Sequence, residues 1–406
     1  MSTSPAMAPP AVVAREAGVS GARARRGDIG VGLRFALARP DDDAALRQLL
    51  REGEMPGAIR LSFEREPSYF RAAALEGPIH QTGVGRDPDA GTDGIVAVGS
   101  RSVRLRYVNG RETPVGYLSQ FRISPSYARK RLAGRILRHA FDFCRELHED
   151  GRTAFYLMAV VEDNIRAGRL LASGLPGYPH VREHGRMTTH AIAVGRSRRR
   201  AAATPGITIE RGSPDRVGEL LDCLDRNGRR RQFSPVWARE MLFDVGNTPG
   251  LAPRDFWVAS RAGRVAGCLA LWDQRSVRQT VVRGYAPVLA RFRPVVNIAA
   301  RLAGWPRLPR PGQPIRLAYL SHVAVDDDDT GTFAALLRAA LDDAARRDID
   351  VVVAGFAEGD PLESVVVRAH RTVAYRSRLY LVAWEDGLDA IDRIDGRTAN
   401  YEVALL

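Results

Sequence analysis

The stretch from Gly116 to Asn164 constrains this chain most, because its apolar period changes twice over a short span. From Val115 to Ser124 apolar, β-branched and aromatic residues alternate in period two, which predicts a strand. Leu132, Ile136, Leu137, Ala140, Phe141, Cys144 and Leu147 then fall at steps of one, three or four, so they share one helix face. A second apolar run follows and closes on Glu162-Asp163-Asn164. The loop from Ser126 to Gly134 therefore sits where a helix begins, and free backbone N–H groups and the positive dipole end face whatever docks there. Arg129, Lys130 and Arg131 add three cations. A phosphorylated ligand fits such a loop, and so does a solvated basic turn in an arginine-rich chain; these residues alone favour neither.

With 406 residues the chain is too long for one ordinary core, which predicts two domains. A net charge of +13 invites polyanions. Yet the bases are scattered, Lys130 is the sole lysine, and the aromatics do not interleave with basic runs as stacking platforms would. No nucleic-acid partner is expected. Cys144, Cys223 and Cys268 lie far apart, which gives no disulfide framework and no zinc spacing and suits a reducing cytoplasm. No run approaches the ~20 apolar residues of a spanning helix, so no membrane partner is expected. The strongest apolar stretch, Pro294 to Trp305, is short and carries Arg301.

Residues 1–30, rich in Ala, Pro, Ser and Arg, predict a disordered leader. A strand over Gly32–Ala38, an amphipathic helix over Asp41–Glu52 and a helix over Phe63–Ala74 follow. Strands over Ile79–Arg86 and Gly94–Val108 come next, and Asn109-Gly110 predicts a tight hairpin. A short helix to Ala172 and a strand over Arg186–Val194 close this part. His180, His184 and His190 match no metal pattern. Residues 196–206 predict a linker, after which the order restarts with a strand at Ile207–Arg211, a helix capped by Ser213, and a helix over Val236–Phe243. Strands over Phe256–Ser260, Arg264–Asp273 and Ser276–Gly284 continue the sheet, and Pro287–Pro314 forms an insertion against its edge. Ala318-Tyr319-Leu320-Ser321-His322-Val323-Ala324-Val325 echoes Gly116-Tyr117-Leu118-Ser119-Gln120-Phe121-Arg122-Ile123 at an offset of 202. Where the first copy has its basic loop, the second has Asp326-Asp327-Asp328-Asp329, whose carboxylates would repel a phosphate; a helix-capping loop or a divalent-metal site are the other readings.

The order of strand, Ile123-Ser124-Pro125, basic loop, helix and strand ending in Asn164 resembles the cofactor-binding core of the GNAT superfamily of acyl-CoA-dependent N-acyltransferases. The resemblance implies an α+β fold of two tandem GNAT-like domains, each a mixed, mostly antiparallel central sheet flanked by helices. Residues 31–195 would bind acyl-CoA and catalyse, and residues 207–406 would form a degenerate copy. By the same resemblance the backbone of Phe121, Arg122 and Ile123 aligns the thioester and the pantetheine arm. Arg129, Lys130, Arg131, Leu132, Ala133 and Gly134 hold the pyrophosphate, and Asn164 orients the pantetheine or a water. Ala128, Arg131 and Ala133 occupy the three key places of the family's loop pattern, and only the last fits it. Asn164, Ala167 and Leu170 match the second segment, whereas the usual acidic Tyr is Leu171, so Tyr178 becomes the candidate acid. Glu162 is the candidate base, with Ser119 or Tyr117 as relay; Glu162 and Asp163 equally suit a cap on the following helix. Glu54, Arg60, Glu64, Arg65, Glu66 and Tyr69 fall in the region that covers the acceptor pocket. The implied reaction is transfer of an acetyl or other acyl group from acetyl-CoA or another acyl-CoA to a small-molecule primary amine, without a metal. A catalytically inactive acyl-CoA sensor is the alternative.

Overall fold

The computed structural model describes residues 32–88, 94–129, 132–195, 205–244, 246–303 and 305–406. The expected leader, most of the expected linker, and Lys130 and Arg131 lie outside the described residues. The first half runs β1 (Arg34–Leu37), α1 (Asp43–Glu52), β2 (Ile59–Glu64), α2 (Tyr69–Ala73), β3 (Ile79–Arg86), β4 (Ile95–Val108), β5 (Arg111–Ile123), α3 (Pro125–Arg129), α4 (Ala133–His148), β6 (Tyr156–Val161), α5 (Ile165–Leu171) and β7 (His180–Ala193). The second runs β8 (Ile207–Arg211), α6 (Val217–Gly228), α7 (Arg239–Leu242), β9 (Phe256–Arg261), β10 (Arg264–Trp272), β11 (Gln279–Tyr285), α8 (Pro287–Ala303), β12 (Leu317–Val325), α9 (Thr330–Arg346), β13 (Val351–Ala357), α10 (Glu363–Ala369), β14 (Thr372–Ala383) and α11 (Leu388–Asp392).

Local chemistry accounts for the main elements. In α4, Ile136, Leu137, Phe141 and Cys144 are buried on the face their spacing defines. Asn109 and Gly110 turn β4 into β5 with φ of 53° and 78°, the left-handed pair that a two-residue hairpin requires. Asp329 caps α9, its carboxylate accepting from the Gly331 N–H at 3.0 Å.

Twelve strands form one mixed, mostly antiparallel sheet in the order β1-β3-β4-β5-β6-β14-β7-β13-β12-β10-β9-β8. Among the described residues, β5–β6 and β12–β13 are the strand neighbours in this sheet that pair in parallel. The sheet is continuous across both halves because β14, from the end of the chain, lies between β6 and β7, and β7 lies between β14 and β13. A separate two-stranded sheet pairs β2 with β11 and ties the halves a second time. The cores follow this interleaving. Leu379 and Leu381 of β14 join Val115, Phe155 and Leu157 of the first half in one buried cluster, and Tyr380 and Val382 join Leu137, Phe141 and Tyr156 in another.

Several expectations shift. The helix expected over Phe63–Ala74 shrinks to α2, and the residues before it turn extended, because β2 finds β11 as a partner. The strand expected to continue the main sheet at Ser276–Gly284 is that partner, β11. Ser213 makes no side-chain cap, and a 3-10 turn at Pro214–Arg216 leads into α6. The helix expected over Val236–Phe243 is the single turn α7. The insertion after Pro287 is a 17-residue helix.

Candidate functional site

The site begins at a bulge in β5. Its ladder with β4 runs in register to Ser100↔Ser119 and resumes one residue out of step at Val98↔Arg122; between them Gln120 holds a φ of 55°. On its other edge β5 pairs with β6 only from Gly116↔Tyr156 to Leu118↔Met158. From Ser119 onward the two strands diverge, and the edge of β5 facing the wedge carries no ladder. Gly116 is required at the root, because a Cβ there would stand 2.1 Å from Cδ1 of the fully buried Tyr156. At the open end β5 passes through α3 into α4, whose first-turn N–H groups have no intrahelical acceptors.

Beside the root lies a buried ionic cluster. Ser119 Oγ donates to Glu76 Oε2 at 2.7 Å, the guanidinium of Arg65 pairs with Glu76 Oε1, and His80 Nδ1 stands 3.6 Å from Glu76 Oε2. Arg65 also lies over the Tyr69 ring at 4.7 Å. Burial pushes the Glu76 carboxyl up, but Arg65, His80 and the Ser119 hydrogen bond outweigh it and hold the carboxyl below its ordinary value. Burial also pushes His80 down, so at neutral pH it is uncharged beside a carboxylate and a guanidinium. Sequence reasoning placed Ser119, Arg65 and Tyr69 near the site and missed Glu76 and His80. The available signal was a lone carboxylate at the end of the apolar run Ala72-Ala73-Ala74-Leu75, just before Gly77.

The other expected site residues fall as follows. Phe121 and Ile123 pack with Leu132 and Ile136 beneath the open end of the wedge. Arg122 Nη1 donates to the Phe121 carbonyl at 3.0 Å, and its Cδ lies 3.4 Å from where a Cβ on Gly53 would stand, on the side of the α1–β2 loop. Arg129 ends α3, Leu132 is the N-cap of α4, and Ala133 and Gly134 open that helix. Lys130 and Arg131 are outside the described residues. Asn164 caps α5, its Oδ1 accepting from the Ala167 N–H at 3.2 Å. Tyr178 donates to the Gly134 carbonyl at 2.9 Å and its ring meets Phe141 edge-on at 5.3 Å, tying the loop after α5 to the start of α4. Glu162 pairs with Arg186 at 3.1 Å and Arg378 at 3.8 Å, in a network joining the ends of β6, β7 and β14. No hydrogen bond joins Glu162 to Ser119 among the described residues. Of the acceptor-side residues, Glu64 pairs with Arg283, Glu66 with Arg47 and Arg51, and Glu54 with Arg60.

The second half repeats the bulge. Ser321 pairs with Ala270 and Ala324 with Cys268, with His322 between them at φ 53°, and β12 pairs with β13 only over Leu317–Tyr319. This wedge, however, is filled. Glu402 Oε2 accepts the His322 N–H at 2.7 Å, and a Cβ on Gly355 would stand 2.9 Å from Val403. A cavity of about 50 Å³ remains, lined by His322, Arg231, Asp360 and Asn400 among others, too small for more than a few waters. Of the acidic run after β12, Asp326 pairs with Arg226 and Asp328 with Arg230 and Arg231. Among the described residues no group of three or more His, Cys, Asp or Glu could hold a metal ion.

Residues 45–175, which span the first wedge and the Glu76 cluster, match the family model described as Acetyltransferase (GNAT) family. That stretch is a GNAT acetyltransferase domain. Solved structures share the fold over most of the chain. The glucosamine N-acetyltransferase region of a fungal multi-domain GH3 β-N-acetylglucosaminidase is 13% identical with a TM-score of 0.56, covering 88% of this chain and 39% of that one. A GCN5-related N-acetyltransferase from Sphaerobacter thermophilus is 13% identical with a TM-score of 0.53, covering 92% and 98%. Saccharomyces cerevisiae N-myristoyltransferase with bound myristoyl-CoA is 11% identical with a TM-score of 0.57, covering 89% and 85%. No curated protein matches the sequence.

Proposed function

We propose that the first half transfers an acyl group from a CoA thioester to a primary amine. The observation that carries this reading is the wedge beside β5, an unladdered strand edge running from a bulge to the start of a helix. A pantetheine arm would lie along that edge, and the pyrophosphate would meet the amides at the start of α4. In the reaction the amine nitrogen attacks the thioester carbonyl, the C–N bond forms, the C–S bond breaks, and CoA leaves as its thiolate, which takes a proton from solvent. The amine's proton is taken by Glu76, directly or through Ser119. This keeps Ser119 as relay and gives it a carboxylate partner within hydrogen-bonding distance, while Glu162 holds the strand ends through its arginines. Positioning the two reactants supplies much of the rate.

The second half is read as a copy of the same unit without the cofactor site. The offset of 202 sends Gln120 onto His322, and both take left-handed φ at a bulge where a parallel pair splits. In the copy, Glu402 and Val403 occupy the wedge and carboxylates replace the basic loop.

The test is release of CoA thiol from acetyl-CoA across a panel of amino acids, amino sugars, polyamines and peptides. Turnover that requires the amine supports acyl transfer. No thiol release with any member of the panel, in a protein that still binds acetyl-CoA, favours a sensor.

A further inference from the structure

Helix α8 is built inside out. Two of its polar residues face the protein: Arg293 Nη1 donates to the carbonyls of Leu308 at 3.3 Å and Pro309 at 3.1 Å, and Asn297 exchanges two hydrogen bonds with Leu308 at 3.1 and 2.7 Å. Most of its large apolar residues face away. Val288 is 72% exposed, Phe292 52%, Val295 62%, Ile298 62% and Leu302 83%, and their steps of four, three, three and four make one stripe along the helix. Trp305 continues it, half exposed beneath the Arg371 guanidinium at 4.5 Å. An outward apolar stripe of this length is unfavourable in water and marks a surface that something covers.

Charge identifies what covers it. From Gln274 to Val325 the chain has nine arginines and no aspartate or glutamate. Arg291, Arg301, Arg307 and Arg310 are exposed and, among the described residues, pair with no carboxylate. A second copy meeting this face about a twofold axis would set these unpaired arginines against their own counterparts. No helix among the described residues is long and apolar enough to cross a membrane, but an amphipathic helix with arginines flanking an apolar face lies in the plane of one. We propose that α8 docks the protein on an anionic phospholipid bilayer, its apolar stripe entering the boundary between headgroups and acyl chains and its arginines meeting lipid phosphates. The inference does not depend on acyl transfer. It adds a direction to it, because α8 springs from Ala286, whose N–H donates to Ala58 at 2.9 Å, and the Gly53–Ala58 loop touches Arg122 beside the wedge.

Sedimentation of the full chain with phosphatidylcholine vesicles, with and without phosphatidylglycerol, tests this. Binding at least tenfold stronger to the anionic vesicles is expected. Phe292→Glu with Ile298→Glu should reduce it at least tenfold, and Arg291→Gln with Arg301→Gln by about fivefold per arginine. All four side chains are exposed, so thermal unfolding of both variants should stay unchanged, which excludes misfolding as the cause. Equal sedimentation of wild type and both variants overturns the proposal, as does no binding to either vesicle. A soluble dimer dispersed by Ile298→Glu would also overturn it and assign the face to a second copy.

Discussion

Glu76→Gln is expected to lower amine-dependent turnover by roughly 100-fold or more, the scale on which a positioned general base acts. Acetyl-CoA affinity should change little, because Glu76 lies at the root of the wedge and not along its open length. Ser119→Ala should reproduce most of the loss if the hydroxyl relays the proton. It also guards the test, since Glu76→Gln leaves the buried Arg65 guanidinium without a carboxylate and costs stability as well. The pH behaviour separates the two effects. The folded-state pKa of Glu76 is held below its ordinary 4.5, so its pairing stabilises the fold fully above that pH and is lost as pH falls through the lowered value. Wild type should therefore keep its base ionised across the neutral range and lose both activity and stability only in acid. The Gln variant should show low activity at every pH and lose this acid-dependent part of its unfolding free energy. Unchanged turnover in both variants would remove Glu76 and Ser119 from the reaction.

Residues 32–195 expressed alone are expected to give no cooperative unfolding transition. Both β6 and β7 run antiparallel to β14, so without the second half one strand's place between them stands empty. The gap amounts to two inter-strand spacings, about 9.6 Å. The lost ladder to β6 runs from Ser377↔Val161 to Val382↔Tyr156, and that to β7 from Thr372↔Ile192 to Ala383↔His180. Leu379, Tyr380, Leu381 and Val382 would also leave the clusters under β5 and α4. Co-expression with residues 205–406 should restore a soluble, cooperatively unfolding complex. A stable monomer of residues 32–195 would mean that β7 can close on β6 and that the interleaved ladder is dispensable.

Local pattern carried much of this architecture. The mixed α+β class came from the family resemblance, whereas the face of α4, the Asn109-Gly110 hairpin and the edges of β3 and β8 were legible because each follows from period or turn chemistry within a few residues. Features that depend on distant partners were not. Ile59–Glu64 is a strand only because β11 lies beside it, more than 200 residues away in sequence. The interleaving of β7 and β14 leaves no mark in either strand, since a ladder reads the same with any suitable neighbour. Period gives α8 a face but cannot say whether that face looks in or out. At the site, Ser119 was reached only through the family resemblance, as a relay for Glu162. Glu76 was not, because its role comes from Arg65 and Ser119 meeting it in space.

Calorimetric titration of the full chain with acetyl-CoA tests the central claim, that the β5–β6 wedge holds the cofactor while Glu402 and Val403 fill its counterpart. One site per chain is predicted. No binding would remove the wedge as a cofactor site, and two sites per chain would contradict the filled second wedge.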